Sequence, residues 1–480
     1  MAVFNEVLTT LNQVIIGIVT FAFAVQIIYL LIFFLPARKI APAKQKHKFA
    51  VVVSAHNEEA VLPVALKSLM HMKYPKELFR VFVIADNCTD RTAEIARRMG
   101  AFVIERQEPD PKKRNVGYAL QYALPIILEA YPDVEAFVRF DADNILHPDY
   151  LLRMNDAYDG GAVLARGYNH ATNITQNVIA GVSGLWYIRD CRFNCQARSA
   201  LGIGQMMVGG GMMFAASLIR EYGWTETGMS EDAEFTMDML LKKHKAVYVK
   251  DAIVFEEQPS SFTDLFKRNC RIGHGSFKLF FTHGLKCFLK FFVSLRYSLF
   301  DVFLSMLFMP IAVVLVFWFP IYYIYLTIFH FASGGSFDPT GSCTDCGFFV
   351  TYQGMELNVF TFIGWILLFA FIIPFIAQAV LVYVLDFKRI GMSFWKVLPS
   401  IITFPLFMVV YAAGIALGSV SNPKWKSAKR SAYYDESFVK TMEKATGAPF
   451  ERDAKAIAAA YLSDDPPPDR LPGAEECHTE

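Results

Sequence analysis

Four long apolar stretches without a single charged side chain constrain this 480-residue chain more than any other feature of its sequence. They cover residues 14–35, 302–329, 357–385 and 400–420. A helix needs about 20 residues to cross the hydrocarbon core of a bilayer, and each stretch reaches that length. We therefore expect four spans and a multi-pass protein of the cell (plasma) membrane, with residues 1–36 as an N-terminal anchor.

Lys and Arg residues set the expected orientation of these spans. No Lys or Arg precedes the first span and a basic segment, 38–48, follows it, which predicts a cytoplasmic location for the region after it. Four spans counted from an external N-terminus place the C-terminal tail outside, but the basic residues between 424 and 430 favour the inside. Two alternatives would resolve this conflict: 400–420 is re-entrant, or 302–329 is a hairpin.

Charge and cysteine content exclude several other classes of protein. Lys and Arg number 46 against 45 Asp and Glu, so the net charge of +1 gives no excess with which to bind nucleic acid. Eight cysteines in 480 residues are too few for a disulfide framework. The spans carry no charged side chain to mark an ion path, which argues against a pure transporter.

The region between the first two spans alternates short apolar runs with helical periodicity. The runs predict strands at 49–53, 81–85, 102–105, 136–140 and 162–165, and the periodic segments predict helices at 60–72, 91–99 and 117–130. Such alternation indicates βαβ units, and hence a Rossmann-like, mostly parallel sheet with helices on both faces. In such folds, ligands bind beyond the carboxyl ends of the strands.

Acidic residues follow three of these predicted strands: Glu58 after the first, Asp86 after the second, and Asp141 and Asp143 after the fourth. Carboxylates at strand ends can accept hydrogen bonds from a nucleobase or ribose, or hold Mg²⁺ or Mn²⁺ against a diphosphate. The alternative is that each caps the following helix, which is the better interpretation of Asp90. Asp141 and Asp143 lie so close together that their repulsion favours a bound cation.

Five segments resemble one family in order and at compatible separations: FAVVVSAHNEEAVLPVALKSL, FRVFVIADNCTDRTAEIA, FVRFDADNILHPDYL, SEDAEFTMDMLL and EEQPSSFTDLFKRNCRIGHG. Over residues 48–275 the chain is similar to the family-2 inverting glycosyltransferases, in the membrane-integrated branch that contains cellulose, chitin and hyaluronan synthases. The resemblance implies a cytosolic α/β domain of the GT-A fold inserted between transmembrane helices. It also implies a UDP-sugar donor and a glycan or lipid-linked acceptor.

The resemblance assigns a role to each matching position. It implies that Asp232 is the base that deprotonates the acceptor, because an inverting transfer needs one carboxylate opposite the leaving UDP. Asp143 matches the metal position. The donor positions are Glu58, Asp86, Asp141 and Arg271, with the first two near the uracil. The acceptor positions are Gly210, Gly211, Glu231 and Arg268. Two plainer alternatives remain open: helix-start charge for the acidic pair 231–232, and a tight turn for the glycines.

One departure from the family bears on the product. Processive members carry a Trp directly after the Arg that matches Arg271, but this chain has Ile272, which offers no aromatic face for a sugar ring. After that position we expect an interfacial amphipathic helix at 276–298, a transmembrane region at 299–421 and a mobile tail at 422–480.

These observations lead to one main hypothesis and two rivals. The first is a membrane-bound inverting hexosyltransferase that contacts membrane lipid and builds an extracellular or cell-surface polysaccharide. The second adds one sugar to a lipid carrier or glycolipid. The third is a non-catalytic partner that binds a sugar nucleotide, against which the acidic residues at 143 and 232 argue.

Overall fold

A computed structural model describes residues 2–32, 34–332, 349–352, 355–358, 371–423, 432–463, 467 and 470–471. Its centre is an eight-stranded sheet in the order β3-β2-β1-β4-β7-β6-β8-β5. The strands are β1 Phe49–Ala55, β2 Phe79–Asp86, β3 Phe102–Arg106, β4 Ala136–Asp141, β5 Ile145–Leu146, β6 Leu164–Ala171, β7 Met212–Ala215 and β8 Val247–Glu256. Strands β1 to β4 run parallel, whereas β7 is antiparallel to both of its neighbours, so the sheet is mixed.

Helices cover both faces of this sheet. The helices in the first half of the chain are α1 Ala2–Leu31, α2 Leu62–Met70, α3 Thr92–Arg98, α4 Val116–Ala130, α5 Tyr150–Asp159, α6 Val178–Arg189, α7 Gln196–Ala200, α8 Ala216–Tyr222 and α9 Glu231–Leu241. The five predicted strands and three predicted helices all correspond to observed elements, and the α/β prediction is confirmed. Strands β5, β7 and β8 were not predicted.

The second half of the chain is mainly helical. Its elements are α10 Phe262–Leu279, α11 Leu285–Ser294, α12 Tyr297–Val313, α13 Phe319–Ala332, β9 Phe349–Tyr352, β10 Met355–Asn358, α14 Ile373–Leu385, α15 Phe387–Ile390, α16 Phe394–Val420, α17 Glu436–Thr446 and α18 Ala454–Leu462. A wider helical turn, Phe280–Gly284, joins α10 to α11, so that residues 262–294 form one long helix. The predicted interfacial helix at 276–298 covers the second half of this long helix and the first residues of α12. The long helix ends at Leu295, whose φ of 52° is left-handed.

The expectation of four spans is not supported. Among the described residues, two helical stretches are long and apolar enough to cross a membrane, Tyr297–Tyr322 and Phe394–Ser419. The predicted first span lies in α1, whose described apolar part, Glu6–Ala22, is shorter. The predicted span at 357–385 begins inside strand β10, and its residues 359–370 lie outside the described part of the chain.

Helix α16 packs along the sheet domain for most of its length. Near its start, Ser400 lies against Gly181 of α6, and further on the ring centroids of Trp186 and Tyr411 are 4.9 Å apart. Near its end, a Cβ atom on Gly414 would lie 2.6 Å from the Cβ of Asn269 on α10. Helices of the sheet domain therefore contact both halves of α16, which runs without a break from Phe394 to Val420.

The described residues of the C-terminal segment, mainly 432–463, pack against the sheet domain, which corrects the prediction of a mobile tail at 422–480 for that part. Phe438 and Met442 of α17 and Tyr461 of α18 are buried in the same core as α2 and α3. The backbone N–H of Leu471 donates to the carbonyl oxygen of Met99 over 3.0 Å. Each helix presents an apolar stripe that the domain buries, and these stripes supply the stabilisation that a polar tail would lack. The described tail therefore lies on the same side as the sheet domain.

Candidate active site

The carboxyl ends of three neighbouring strands form the floor of the candidate site. Ser54, near the end of β1, pairs with Ile84 of β2 on one side and with Asp141 of β4 on the other. Adjacent strands lie about 4.8 Å apart, so the ends of β2 and β4 are separated by about 10 Å. Asp86 and Asp141 therefore face one edge of the sheet, as the sequence predicted.

Asp86 is held in place by three polar contacts. Its Oδ1 accepts hydrogen bonds from Arg106 Nη1 over 2.7 Å and from Asn87 Nδ2 over 2.8 Å. Its carbonyl oxygen lies 2.7 Å from His56 Nδ1. Glu58 follows on the same loop as His56, where its backbone N–H donates to Thr92 Oγ1. This corner is polar, and these hydrogen bonds fix the position of the Asp86 carboxylate.

A compact turn follows β4 and carries the two neighbouring carboxylates. The backbone N–H of Asp141 donates to Asn144 Oδ1 over 3.1 Å, and the N–H of Asn144 donates back to the Asp141 carbonyl over 3.0 Å. Asp143 lies between them and is buried, with an exposed fraction of 8%. The side chain of Asp141 is more accessible, at 37%. The turn thus presents one exposed and one buried carboxylate.

Arg139 joins this turn to the start of helix α9. Its guanidinium Nη2 lies 2.7 Å from Asp141 Oδ1 and 3.3 Å from Glu231 Oε1, and its side chain is 4% exposed. Sequence reasoning missed this residue. The available signal was a single Arg inside the otherwise apolar run of β4, two residues before Asp141. A cation in such a run needs an acidic partner, because burying an unpaired charge is costly.

Asp232 is the second residue of α9 and points back towards the sheet. Its Oδ2 accepts a hydrogen bond of 2.8 Å from the backbone N–H of Gly209, and its Oδ1 accepts one of 2.7 Å from Ala233. Burial raises the pKa of Asp232, although Arg139 opposes the rise. Burial also raises the pKa of Glu231 to about 7, again opposed by Arg139. The pair is therefore more basic than ordinary surface carboxylates.

The glycines at 209–211 bring Asp232 to the turn after β4. Gly209 and Gly211 adopt left-handed φ angles of 77° and 81°, which side chains with a Cβ rarely take. A Cβ atom on Gly210 would overlap Asn144 Oδ1. The loop is thus more than a tight turn, because its middle residue allows the backbone to contact the turn that carries Asp141 and Asp143.

The two arginines that the sequence analysis assigned to the site, Arg268 and Arg271, both lie on α10. Arg268 donates to Gln258 Oε1 over 2.9 Å and to Ser183 Oγ over 2.5 Å, so it ties α10 to α6. Arg271 follows one helical turn later and precedes Gly275, where a Cβ atom would overlap Ser230 Oγ at the start of α9. Arg271 is thus one helical turn from the point where α10 contacts the start of α9.

Ile272 is partly buried and packs against the core that includes residues of α6, α14 and α16. Its side chain is engaged with the helices beside the domain and leaves no aromatic surface at that position.

The donor atoms at the turn after β4 suit a hard divalent cation. Among the described residues, no three His, Cys, Asp or Glu side chains are grouped to hold a metal ion. Mg²⁺ is commonly bound through one or two carboxylates, with waters and substrate phosphates completing its coordination. The buried Asp143 and the accessible Asp141 match that donor set and fit such an ion.

Two family models match the chain. Residues 137–337 match the model described as glycosyl transferase family group 2, and residues 50–223 match the one described as glycosyl transferase family 2. Together they include every predicted site residue.

Two curated proteins match about half of the chain. It is 28% identical over 241 residues to a beta-monoglucosyldiacylglycerol synthase of Nostoc sp., covering 48% of this chain and 49% of that protein. It is 26% identical over 243 residues to the probable glycosyltransferase YdaM of Bacillus subtilis, covering 48% and 56%. The chain therefore spans about half the length of the curated relatives it matches.

A solved structure shows the same fold. The mannosyltransferase PcManGT of Pyrobaculum calidifontis, in complex with GDP-Man and Mn²⁺, superposes with a TM-score of 0.50 at 15% identity, covering 85% of this chain and 99% of that chain.

The contact between Gly210 and Asn144 yields a test of the site's construction. We expect Gly210→Ala to lower the free energy of unfolding by about 1–3 kcal/mol, because the added methyl overlaps the Asn144 side chain. In an Asn144→Ala background, which removes the overlapping atoms, the same change should cost clearly less. Urea unfolding of the four proteins of this cycle measures the coupling. Equal costs in both backgrounds would show that the two residues do not contact.

Proposed function

We propose that this chain, which carries a glycosyltransferase family 2 domain of the GT-A fold, transfers one hexosyl unit from a UDP-sugar to a lipid acceptor at a membrane, with inversion at the anomeric carbon. The observation that carries the proposal is the junction of three elements. The turn with Asp141 and Asp143, the loop 209–211 and the start of α9 meet so that Asp232 is held beside the strand ends.

The donor would occupy the carboxyl edge of the sheet. Asp86 and Glu58 lie at the corner suited to the nucleobase, where a carboxylate can accept an N–H from the ring. Asp143 and Asp141 would hold Mg²⁺ or Mn²⁺, which supplies positive charge against the diphosphate. Arg271, one helical turn from the contact between α10 and the start of α9, would meet the negative charge that develops on the leaving UDP.

The acceptor would approach over Gly210 and Gly211, beside Glu231. The acceptor hydroxyl gives its proton to a carboxylate oxygen of Asp232 as its oxygen bonds to the anomeric carbon. The bond from that carbon to the diphosphate breaks on the opposite face, and its electron pair leaves with UDP. Two backbone N–H groups bond to the Asp232 carboxylate, which holds its oxygens in place for this transfer. Arg268, engaged with Ser183, positions α10 against α6.

Two observations favour a lipid acceptor over a growing polysaccharide. Ile272 is aliphatic and partly buried against the core that includes α6 and α16, so it gives no aromatic platform on which a sugar chain could stack. The synthase of Nostoc sp., of which the match covers 49%, is named as a synthase of a glucosylated diacylglycerol. Polysaccharide synthesis remains the second candidate, because two helices beside the domain are long enough to cross a membrane.

Product size separates these candidates. We expect purified full-length protein, given labelled UDP-sugars and diacylglycerol in mixed micelles, to form a single-sugar lipid that extracts into organic solvent. A panel that includes UDP-glucose, UDP-galactose, UDP-N-acetylglucosamine and GDP-mannose identifies the donor. Water-soluble labelled polymer would overturn single addition, and turnover of GDP-mannose alone would overturn the uridine assignment of the nucleobase corner.

Replacing the proposed base gives the sharpest test of the mechanism. Asp232→Asn keeps the shape of the side chain but cannot take the proton, and loss of a general base typically lowers kcat by about 10²–10⁴-fold. UDP binding, measured by calorimetry, should change little because the base faces the acceptor. Asp238→Asn, at the far end of the same helix, serves as the control with normal turnover. A normal rate in the Asp232 variant would refute the assigned role.

The pH dependence of turnover follows from the burial of Asp232. Its carboxylate is the active form, so turnover should fall as pH drops through its raised pKa, at higher pH than for an ordinary aspartate near 3.9. Arg139 holds this pKa down, so Arg139→Gln should move the acid limb of the kcat profile to higher pH. Arg153→Gln, which removes a partly exposed arginine elsewhere, should leave the limb in place. An acid limb at the same pH or at lower pH in the Arg139 variant would contradict this account.

A further inference from the structure

A second cleft lies at the opposite end of helix α9 from Asp232. It has a volume of about 600 Å³ and is open to solvent. The eleven residues of α9 span roughly 16 Å at 1.5 Å per residue, so the cleft is separate from the candidate active site. Three basic residues, Lys243, Lys245 and Arg296, line it together with apolar and small residues, and no acidic residue is among the described residues of its wall.

The cations of this cleft retain unused hydrogen-bond donors. Arg296 donates through Nη2 to the Leu240 carbonyl over 2.8 Å, but its Nη1 is buried and has no hydrogen-bond partner among the described residues. Lys245 donates to the Gly202 carbonyl over 2.9 Å, which uses one of its three N–H groups. Lys243 is exposed. The donors within reach of an acceptor from outside the chain are therefore mainly those of the two exposed lysines, with Arg296 adding positive charge beside them.

The surroundings of the cleft indicate where that acceptor comes from. Tyr297, on the cleft wall, is the first residue of a helix long enough to cross a membrane. Leu201 on the same wall is 50% exposed, and Val293 and Leu295, just before the helix, are 88% and 75% exposed. Exposed apolar side chains beside a basic cleft at the start of such a helix match the depth of lipid headgroups.

We propose that this cleft binds the phosphate of an anionic phospholipid headgroup. Arg296 and the two lysines would contact the phosphate oxygens, while the exposed apolar rim meets the acyl region. The proposal does not depend on the sugar transferred, since it concerns a site remote from Asp232. The competing explanation is that these cations only cap the carbonyls at the end of α9, in which case the cleft would show no preference for lipid charge.

Vesicle flotation of the full-length protein tests the proposal. We expect tighter binding to vesicles of phosphatidylcholine with phosphatidylglycerol than to phosphatidylcholine alone. Lys243→Gln with Lys245→Gln should weaken binding to the anionic vesicles by roughly 25-fold, at about fivefold per basic residue, and leave binding to neutral vesicles unchanged. Both lysines are exposed, so the fold should persist, which an unchanged melting temperature verifies.

A matched control separates the cleft from general surface attraction. Lys278→Gln with Lys286→Gln removes the same charge from exposed positions on the neighbouring helices and should weaken binding clearly less. Equal losses in both double variants, or no preference for anionic vesicles in the unmodified protein, would overturn the proposal. Inorganic phosphate should not displace the protein from anionic vesicles beyond the effect of NaCl at equal ionic strength. Specific displacement by phosphate would identify a soluble anion as the ligand instead.

Discussion

The ion pairs of Arg139 hold the two halves of the candidate site together. One buried guanidinium contacts Asp141 on the turn after β4 and Glu231 at the start of α9, and no other described charged contact joins those two elements directly. Removing a charge from water is costly unless its partners are close, so the site is stable only when both carboxylates approach this cation. The contact therefore couples the position of the carboxylates after β4 to that of Asp232, one residue after Glu231. The glycine loop reinforces the same junction through the backbone.

The strands that carry the donor carboxylates were predictable because local sequence specifies them. Strands β1, β2 and β4 are continuous apolar runs, and parallel strands buried on both faces have that composition. Because these strands are parallel, the acidic residues at their carboxyl ends could be predicted to lie at one edge of the sheet. Strand β8 was missed because Lys250 and Asp251 interrupt its apolar run, and β7 has only four residues. Asp232 could be placed only through the family resemblance, because its contact with Gly209 joins residues 23 positions apart.

Apolar composition alone did not distinguish burial in protein from burial in lipid. Helix α16 contains Phe404 and Ile415, which are buried against the domain, and Ile402 and Leu406, which are 58% and 64% exposed. A count of hydrophobic residues treats the two faces alike, so it predicts the span but not which face of the helix the domain covers. The tail was misjudged for the opposite reason: the apolar residues of α17 and α18 are few, and only the core that they share with α2 and α3 shows that they suffice.

The small residues between α10 and α16 have a mechanical consequence. Gly414 and Gly418 on one helix lie so close to Asn269 and Cys270 on the other that no side chain separates the two backbones. Packed interiors yield little to compression, so the two helices can only shift as a pair. Arg271 belongs to that pair. If α16 lies in a bilayer, a change in bilayer thickness that tilts it would therefore also move Arg271, the cation that we propose for the leaving group, so the lipid environment would affect the rate of transfer.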